Sequence, residues 1–517
     1  MILLFHKNNK VVQVYDYDNN LELEVNSISI QDSLISIAKK NTLSTIGWCN
    51  INCKNQLNLS EWSKILTHPL KMVSFECATN YYLPSSIGFV EQTPFVKVNK
   101  KVEYPTWLMS SDVGALHASV LLKFTRLLNY TVPFDLFLNA LAKIGMKEGL
   151  LCYSNPKLLT PNFRRINIKK PKASLLNIYW FIKSNYRWPW IFLFLFNRII
   201  YKKKVDVFTF LAVLFKKKIH CKVNFKDVKF PVEENYPKPS IDVLIPTLGR
   251  EKFLKNVLLD LSKQTLLPNN IIIIEQNSDV SSKSKLAYLS DNWPFKIYHV
   301  FTHQLGACNA RNIGLNMVKS DWVFFADDDI RLKKTILESA FLYINKFKVN
   351  AISLSCLQKN EKEKNEVVFQ STTFGSGTSL VKSEALKNLK FNIAYEFGYG
   401  EDADFGMQLR NQGTDILYIP FVSMLHLKAP IGGFRKKIKK EWDLQITKPK
   451  PSPTIMIYKL KHTTKEQLQG YKINLILKYF RVQKNKNIFS YYKQMKIAWN
   501  KSLYWANYLI NKNFNEF

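Results

Sequence analysis

Residues 322–332, WVFFADDDIRL, join an apolar run, Trp322 to Ala326, to three consecutive carboxylates, Asp327, Asp328 and Asp329. An unbroken apolar run of this length suits a strand covered on both faces, as in a parallel sheet. Three adjacent carboxylates at its end raise one another's pKa unless a cation neutralises them. A divalent ion answers that need. Ligation by oxygen alone favours magnesium or manganese, hard ions that also accept phosphate oxygens. A solvated acidic turn is the competing reading of the same residues.

The surrounding sequence supplies the rest of a sheet. IDVLIPTLGR (241–250) is an apolar strand stopped by Pro246 and Gly249, and a helical pattern follows in KFLKNVLLDLSKQ. IIIIEQNSD (271–279) and KIYHVF (296–301) read as second and third strands, and ARNIGLNMVKS (310–320) as a helix. Strands alternating with helices make a βαβ sheet. Ligands of such sheets sit beyond the carboxyl ends of the strands, which is where the three aspartates fall. Downstream, TTFGSGTSLV (372–381) places Gly375 and Gly377 where backbone must approach a ligand. YEFGYGEDADFGMQLRNQG (395–413) carries Glu401, Asp402 and Asp404 into the first turn of a helix that stops at Gly413; acids there also serve as ordinary caps. YIPFVSMLHLKAP (418–430) brings His426 to another strand end, and a lone histidine is more often structural than catalytic.

Taken in order, IPTLGR, IIIIEQNSD, GACNARNIGL, FFADDDI, GSGTSLV, GEDADFGMQLRNQG and the late histidine resemble the family 2 glycosyltransferases of the GT-A fold, over about 241–430. The resemblance implies an α/β, Rossmann-like mixed sheet flanked by helices, and a nucleotide-sugar donor. On it, Pro246, Thr247 and Arg250 border the nucleotide, Glu275 holds the base and Arg311 lies near the diphosphate. Asp327 and Asp328 then contact ribose and metal, Asp329 is the direct metal ligand, and His426 matches the metal-ligating histidine of many relatives. Gly377 is assigned to the nucleotide-sugar pocket. EQNSD departs from the family's usual pair of aspartates, which leaves the nucleobase open, although a UDP-sugar is the expected donor.

The chemistry follows from the groups available. A sugar diphosphonucleoside already carries a leaving group, so the enzyme needs a cation, Mn2+ or Mg2+, to stabilise the departing diphosphate rather than a protonated general acid. The acceptor hydroxyl loses its proton as it attacks, and one carboxylate can take it. Asp402 is expected to be that base, with Glu401 beside it. Attack from the face opposite the leaving group gives inversion.

At 517 residues the chain can form two to four domains, each with its own core. Lys+Arg total 74 against 40 Asp+Glu, and the resulting +34 implies negatively charged neighbours: nucleic acid, nucleotide phosphates or a lipid surface. The seven cysteines are odd in number and show neither a CxxC pair nor zinc spacing, which fits a reducing cytoplasm. MILLFHKNNK holds too few apolar residues for a signal peptide. WPWIFLFLFNRII (188–200) is shorter than the ~20 residues a spanning helix requires, so no transmembrane helix is expected.

Four regions are expected. Residues 1–160 form an α/β domain, either of degenerate GT-A type, because SSDVGALHASVLLKF (110–124) resembles GSGTSLVKSEALKNLKF (375–391) and 133–156 resembles the helix, glycine and strand of 401–420 without the acidic pair, or an unrelated one whose similar spacing is chance. Asp112 and His117 are its only polar candidates, and a structural role is expected for both. Residues 161–235 are a basic, aromatic helical linker. Within it, 178–218 interleaves Trp and Phe with lysine clusters, as suits either amphipathic segments in a headgroup layer or two core helices. After the Pro-rich PVEENYPKPS (231–240) comes the catalytic domain, 236–435, and then a basic helical tail, 436–517.

The leading expectation is a metal-dependent glycosyltransferase, peripheral at the cytoplasmic face of the cell membrane, acting on a glycan or lipid-linked acceptor in surface-polysaccharide synthesis. A nucleic-acid-binding or two-metal phosphoryl-transfer protein is the alternative that the charge and the aspartates also allow. Against it, the lysines are spread over linker and tail and form no nucleic-acid motif, so no nucleic acid is expected as partner. A non-catalytic membrane scaffold would leave the ordered motifs unexplained.

Overall fold

A computed structural model describes residues 1–24, 29–78, 81–163, 171–231, 237–430, 439–483 and 487–514. The chain divides into two compact units, Met1–Val232 with Thr464–Asn474, and Glu233–Thr463 with Leu475–Phe517.

The strands of the first unit are β1 (Ile2–Lys7), β2 (Lys10–Asp16), β3 (Leu21–Glu22), β4 (Thr45–Asn50), β5 (Lys71–Phe75), β6 (Tyr104–Pro105), β7 (Val113–His117) and β8 (Leu151–Ser154). They lie in the order β3-β2-β1-β4-β7-β5-β8-β6. Its helices are α1 (Ile30–Lys40), α2 (Leu59–Ile65), α3 (Ala118–Leu121), α4 (Phe134–Gly145), α5 (Leu175–Asn185), α6 (Pro189–Lys202) and α7 (Val207–Phe215). The continuous apolar run ILLFH makes β1 buried from Ile2 to His6, as a strand covered on both faces must be.

In the second unit the strands are β9 (Ile241–Thr247), β10 (Asn270–Gln276), β11 (Lys296–Thr302), β12 (Trp322–Ala326), β13 (Ile330–Arg331), β14 (Ala351–Leu357), β15 (Phe369–Gln370), β16 (Thr378–Lys382) and β17 (Leu417–His426). Their order is β11-β10-β9-β12-β16-β14-β17-β13, with β15 also on β17. The helices are α8 (Glu251–Leu261), α9 (Ala307–Leu315), α10 (Ile336–Phe347), α11 (Glu401–Asn411), α12 (Pro453–His462), α13 (Lys465–Val482), shared with the first unit, and α14 (Ile488–Phe514). This is the expected mixed sheet flanked by helices.

The two sheets repeat one plan. In the first unit β1 is parallel to β4, β4 antiparallel to β7, β7 antiparallel to β5, β5 parallel to β8, and β8 antiparallel to β6. Strands β9, β12, β16, β14, β17 and β15 repeat that path, in the same directions and the same chain order. The sheets differ in β13, which only the second has, on β17, and beyond the first strand of each path. The second unit adds the parallel strands β10 and β11 there, whereas the first has the antiparallel hairpin β2–β3. Where β12 ends in three aspartates, β4 ends in Asn50, whose side chain caps the next turn by accepting from the Asn52 N–H. Asp112 is fully buried and accepts the N–H groups of Cys77 and Ala78, each at 2.9 Å. His117 caps α3, with Nδ1 2.8 Å from Ser119 Oγ. The repeat thus keeps the fold and turns its polar residues inward on backbone.

Residues 175–228, expected as a linker, belong to the first unit: Ile178, Phe181, Phe194, Phe210, Val213 and Val228 share one core with Trp48 and Phe137. Aromatic density in that segment serves packing on one side of each helix. The tail is likewise not one region, since Thr464–Asn474 falls in the first unit and Leu475–Phe517 in the second.

Candidate active site

Strand β12 lies between β9 and β16, buried from Val323 to Ala326, and releases Asp327–Asp329 at the carboxyl edge of the sheet. The chain rejoins the sheet at once through β13, whose Ile330 pairs with His426 at the end of β17. That register sets His426 beside the residue preceding Ile330, so its Nε2 is 3.4 Å from Asp329 Oδ1. Asp329 also accepts the Ala429 N–H at 2.9 Å. Burial would raise its pKa, but the hydrogen bonds from His426 and Ala429, with Arg250 nearby, hold it below the ordinary carboxylate value.

Asp328 points toward β9. It accepts from Thr247 Oγ1 at 2.7 Å and from Arg250 Nη1 at 2.6 Å, and Arg250 also reaches Asp329 at 3.3 Å. Its burial outweighs these partners and pushes its pKa up to about 6. Asp327 is met by Arg311 Nη2 at 3.2 Å. Arg311 comes from α9, a helix so close to the sheet that a Cβ on Gly314 would lie 1.9 Å from Leu244 Cδ1. The residue one turn before Gly314 shares its face, which carries the guanidinium to the strand ends. Arg311 Nε donates to the Ser376 carbonyl at 3.2 Å. At Gly377 a Cβ would fall 2.1 Å from Asp327 Oδ2, so any side chain there would have to displace that carboxylate.

Helix α11 starts at Glu401, after Gly400 at φ 115°, a conformation that favours glycine. Asp404 in its first turn is buried and structural. It bonds His462 Nε2 at 2.7 Å and Lys461 Nζ at 2.9 Å, tying α11 to α12. Glu401 and Asp402 instead line the cleft. Glu401 Oε2 and Asp402 Oδ1 are buried without a hydrogen-bond partner among the described residues. Burial, helped by the neighbouring Asp402 charge, pushes Glu401 up to about 7. Burial also raises Asp402, with Arg311 and Ser376 working against it.

These groups line one cleft of about 420 Å³, together with Pro246, Thr247, Gly377 and His426. Of the residues assigned in the sequence to the catalytic, nucleotide-sugar or metal site, Glu275 alone is outside it. Glu275 is bonded to His299 Nε2 at 2.9 Å and Ser284 Oγ at 2.6 Å, and its neighbour Gln276 lines the cleft instead. Successive residues of a strand face opposite sides, so only one of the two reaches the pocket. Sequence reasoning missed Glu396. Its carboxylate accepts the N–H groups of Cys308 and Asn309, at 3.2 and 3.0 Å, at the start of α9. It fills the space over Gly306, where a Cβ would come within 2.4 Å of its Cδ. The available signal was an acid five residues before Glu401.

No three His, Cys, Asp or Glu side chains among the described residues gather closely enough to enclose a metal ion. Asp329 and His426 form a pair of donors in the cleft, which fits a hard ion that takes one or two protein ligands and completes its shell with substrate phosphate and water.

A mixed sheet with aspartates, arginines and a carboxylate-headed helix at its strand ends defines the GT-A class of glycosyltransferase fold. Residues 242–403 match glycosyl transferase family 2. The chain is similar to the GalNAc(5)-diNAcBac-PP-undecaprenol beta-1,3-glucosyltransferase of Campylobacter jejuni, 22% identical over 199 residues that cover 35% of this chain and 63% of that protein. It is also similar to an uncharacterized glycosyltransferase of Haemophilus influenzae, 29% identical over 89 residues, 17% of this chain and 29% of that one. The chain therefore spans less than two thirds of either relative. Among solved structures, S. aureus TarS in complex with UDP-GlcNAc aligns with a TM-score of 0.36 and 16% identity, over 47% of this chain and 73% of that one. The mannosyltransferase PcManGT of Pyrobaculum calidifontis, in complex with GDP-Man and Mn2+, aligns with a TM-score of 0.31 and 15% identity, over 53% and 75% of the two chains.

Proposed function

We propose that the protein transfers a sugar from a nucleotide sugar of the UDP type to a hydroxyl of a lipid-linked or surface-glycan acceptor, with inversion and with Mn2+ or Mg2+, at the inner face of the cell membrane. The observation that carries this reading is Asp402, whose buried, unpartnered Oδ1 shares a cleft with Arg250, Arg311 and the three strand-end aspartates. The undecaprenol-linked substrate named for the Campylobacter jejuni relative supports the lipid-linked acceptor. Among the described residues no helix is long and apolar enough to cross a membrane.

In this reading the residues divide the work. Pro246, Thr247 and Gln276 border the nucleotide, and Gly377 lets the donor approach backbone. Arg250 and Arg311 offset the diphosphate charge and hold the aspartates in place. Asp329 and His426, with Asp327 nearby, would hold the divalent ion, which supplies Lewis-acid stabilisation of the leaving diphosphate. Asp402 takes the proton of the attacking hydroxyl. Its raised pKa makes it a stronger base than an exposed aspartate, and Arg311 favours its ionised form. Glu401, titrating near neutrality, can donate a hydrogen bond to Asp402 or to a sugar hydroxyl.

The test is a panel of nucleotide sugars with manganese, read as slow release of nucleoside diphosphate. One donor should give release that Asp329→Ala abolishes while the protein stays folded. Release that survives Asp329→Ala unchanged would overturn the metal assignment, and no turnover with any donor would overturn the activity.

A further inference from the structure

The core of the first unit takes one side of α6 and α7 and leaves the other bare. On α7, Phe210 and Val213 are buried, while Phe208 is 90% and Phe215 89% exposed, with Leu211 and Leu214 beside them. α6 buries Ile191, Leu193 and Phe194 and exposes Phe196 (52%) and Ile200. An isolated exposed apolar side chain needs no explanation, but two adjacent helices with large apolar residues outward do. Helix α7, VFTFLAVLF, carries no charged residue. It is far too short to span a bilayer.

The helix is nonetheless held firmly. Lys183 Nζ donates to the carbonyls of Val213, Leu214 and Lys216, at 3.0, 2.7 and 2.6 Å, closing the C-terminal end of α7 with a positive charge. Trp180 Nε1 donates to the Lys217 carbonyl at 2.7 Å, and Lys216 lies over the Trp180 ring at 3.9 Å. Arg198 and Asp206 form an ion pair that fixes the connection between α6 and α7. These bonds fix the backbone of α7, so the helix keeps one face outward.

Charge decides what covers it. Lys202, Lys203 and Lys204 stand exposed before α7, and Lys217 and Lys218 stand exposed just after it. Apolar residues flanked at both ends by cations complement a layer with negative headgroups above and hydrocarbon below. A second copy of the chain would bring the same cations against these, which disfavours self-association.

We propose that α6 and α7 form a wedge that seats this protein on an anionic bilayer, with Phe208 and Phe215 entering the acyl boundary and the two lysine clusters on the headgroups. The inference deepens the reading of a lipid-linked acceptor, since it names the surface that would bring the catalytic unit to such a substrate. Within 178–218, α5 is core, so the surface offered to a bilayer is limited to the outward faces of α6 and α7.

Full-length protein is floated with vesicles of phosphatidylcholine and phosphatidylglycerol in equal parts, and with phosphatidylcholine alone, at low and physiological salt. The wild type should float with the anionic vesicles, less well as salt rises. Phe208→Ser/Phe215→Ser should weaken binding roughly tenfold or more at unchanged unfolding temperature, since each removes a full aromatic insertion. A Lys203→Gln/Lys204→Gln/Lys217→Gln/Lys218→Gln variant should lose the preference for anionic lipid. Wild-type binding to neither vesicle, or binding unchanged in both variants, would overturn the proposal. So would a wild-type dimer that Phe208→Ser/Phe215→Ser dissociates, which would make a second copy the occupant. UDP binding is measured in parallel: its absence with flotation intact counts against the glycosyl-transfer reading alone.

Discussion

Glu401→Gln should make the protein more stable, and only at neutral and higher pH. In the folded chain burial and the Asp402 charge lift Glu401 from an ordinary 4.5 to about 7. Its carboxyl therefore holds a proton more tightly when folded than when unfolded, and between those two values the folded state binds more protons. Stability must then fall as pH rises through that window. The full interval, 4.5 to about 7, corresponds to roughly 3 kcal/mol, and coupling to Asp402 trims the expected gain from glutamine to about 2 kcal/mol. For a unit of this size that is a rise in unfolding temperature of roughly 4 to 8 °C at pH 8. At pH 5 the wild-type carboxyl is already protonated and glutamine matches it in shape, so the gain should nearly vanish. Thermal unfolding of both proteins at pH 5 and pH 8 decides the matter, because other titrating groups are common to the two. An equal gain at both pH values, or none at pH 8, would refute the argument that an ionised Glu401 is held at a cost.

Asp402→Asn should lower turnover by about 10²- to 10⁴-fold while leaving UDP affinity nearly unchanged, measured by nucleoside diphosphate release and by calorimetry. Since burial raises the Asp402 pKa, wild-type turnover should climb with pH through a range above that of an ordinary carboxylate, and a flat profile there would remove it as the base. Gly377→Ala puts a Cβ 2.1 Å from Asp327 Oδ2 and must drive that carboxylate from Arg311. Donor affinity should weaken roughly tenfold with little change in unfolding temperature, because the Asp327 side chain is 39% exposed and its ion pair contributes little to stability. Arg250→Met leaves Asp328 and Asp329 buried without their shared cation and should destabilise by about 2 to 4 kcal/mol at pH 8. The loss should shrink at pH 5, where Asp328, titrating at about 6, takes up a proton instead.

The sequence alone settled what is local. Continuous apolar runs ending in Thr247, Gln276 and Ala326 declare buried strands, and polar residues just past their ends declare the edge where a ligand sits. Most of the ordered motifs fall within 242–403, the span that matches glycosyl transferase family 2. Residues 110–156 also carry a strand-and-turn pattern like that of 375–420, and the two sheets share one strand path.

What the tertiary structure decided depends on faces and distant partners, which no window of sequence contains. Glu275 and Gln276 are adjacent, and only strand direction chose the glutamine for the cleft. Glu396 became a site residue because it folds over Gly306, ninety residues away in the chain. The segment from 175 to 228 reads the same whether its aromatics are core or membrane wedge. Packing buried Phe210 and Val213 in the core and left Phe208 and Phe215 exposed, because a helix face is buried only when another element is there to cover it.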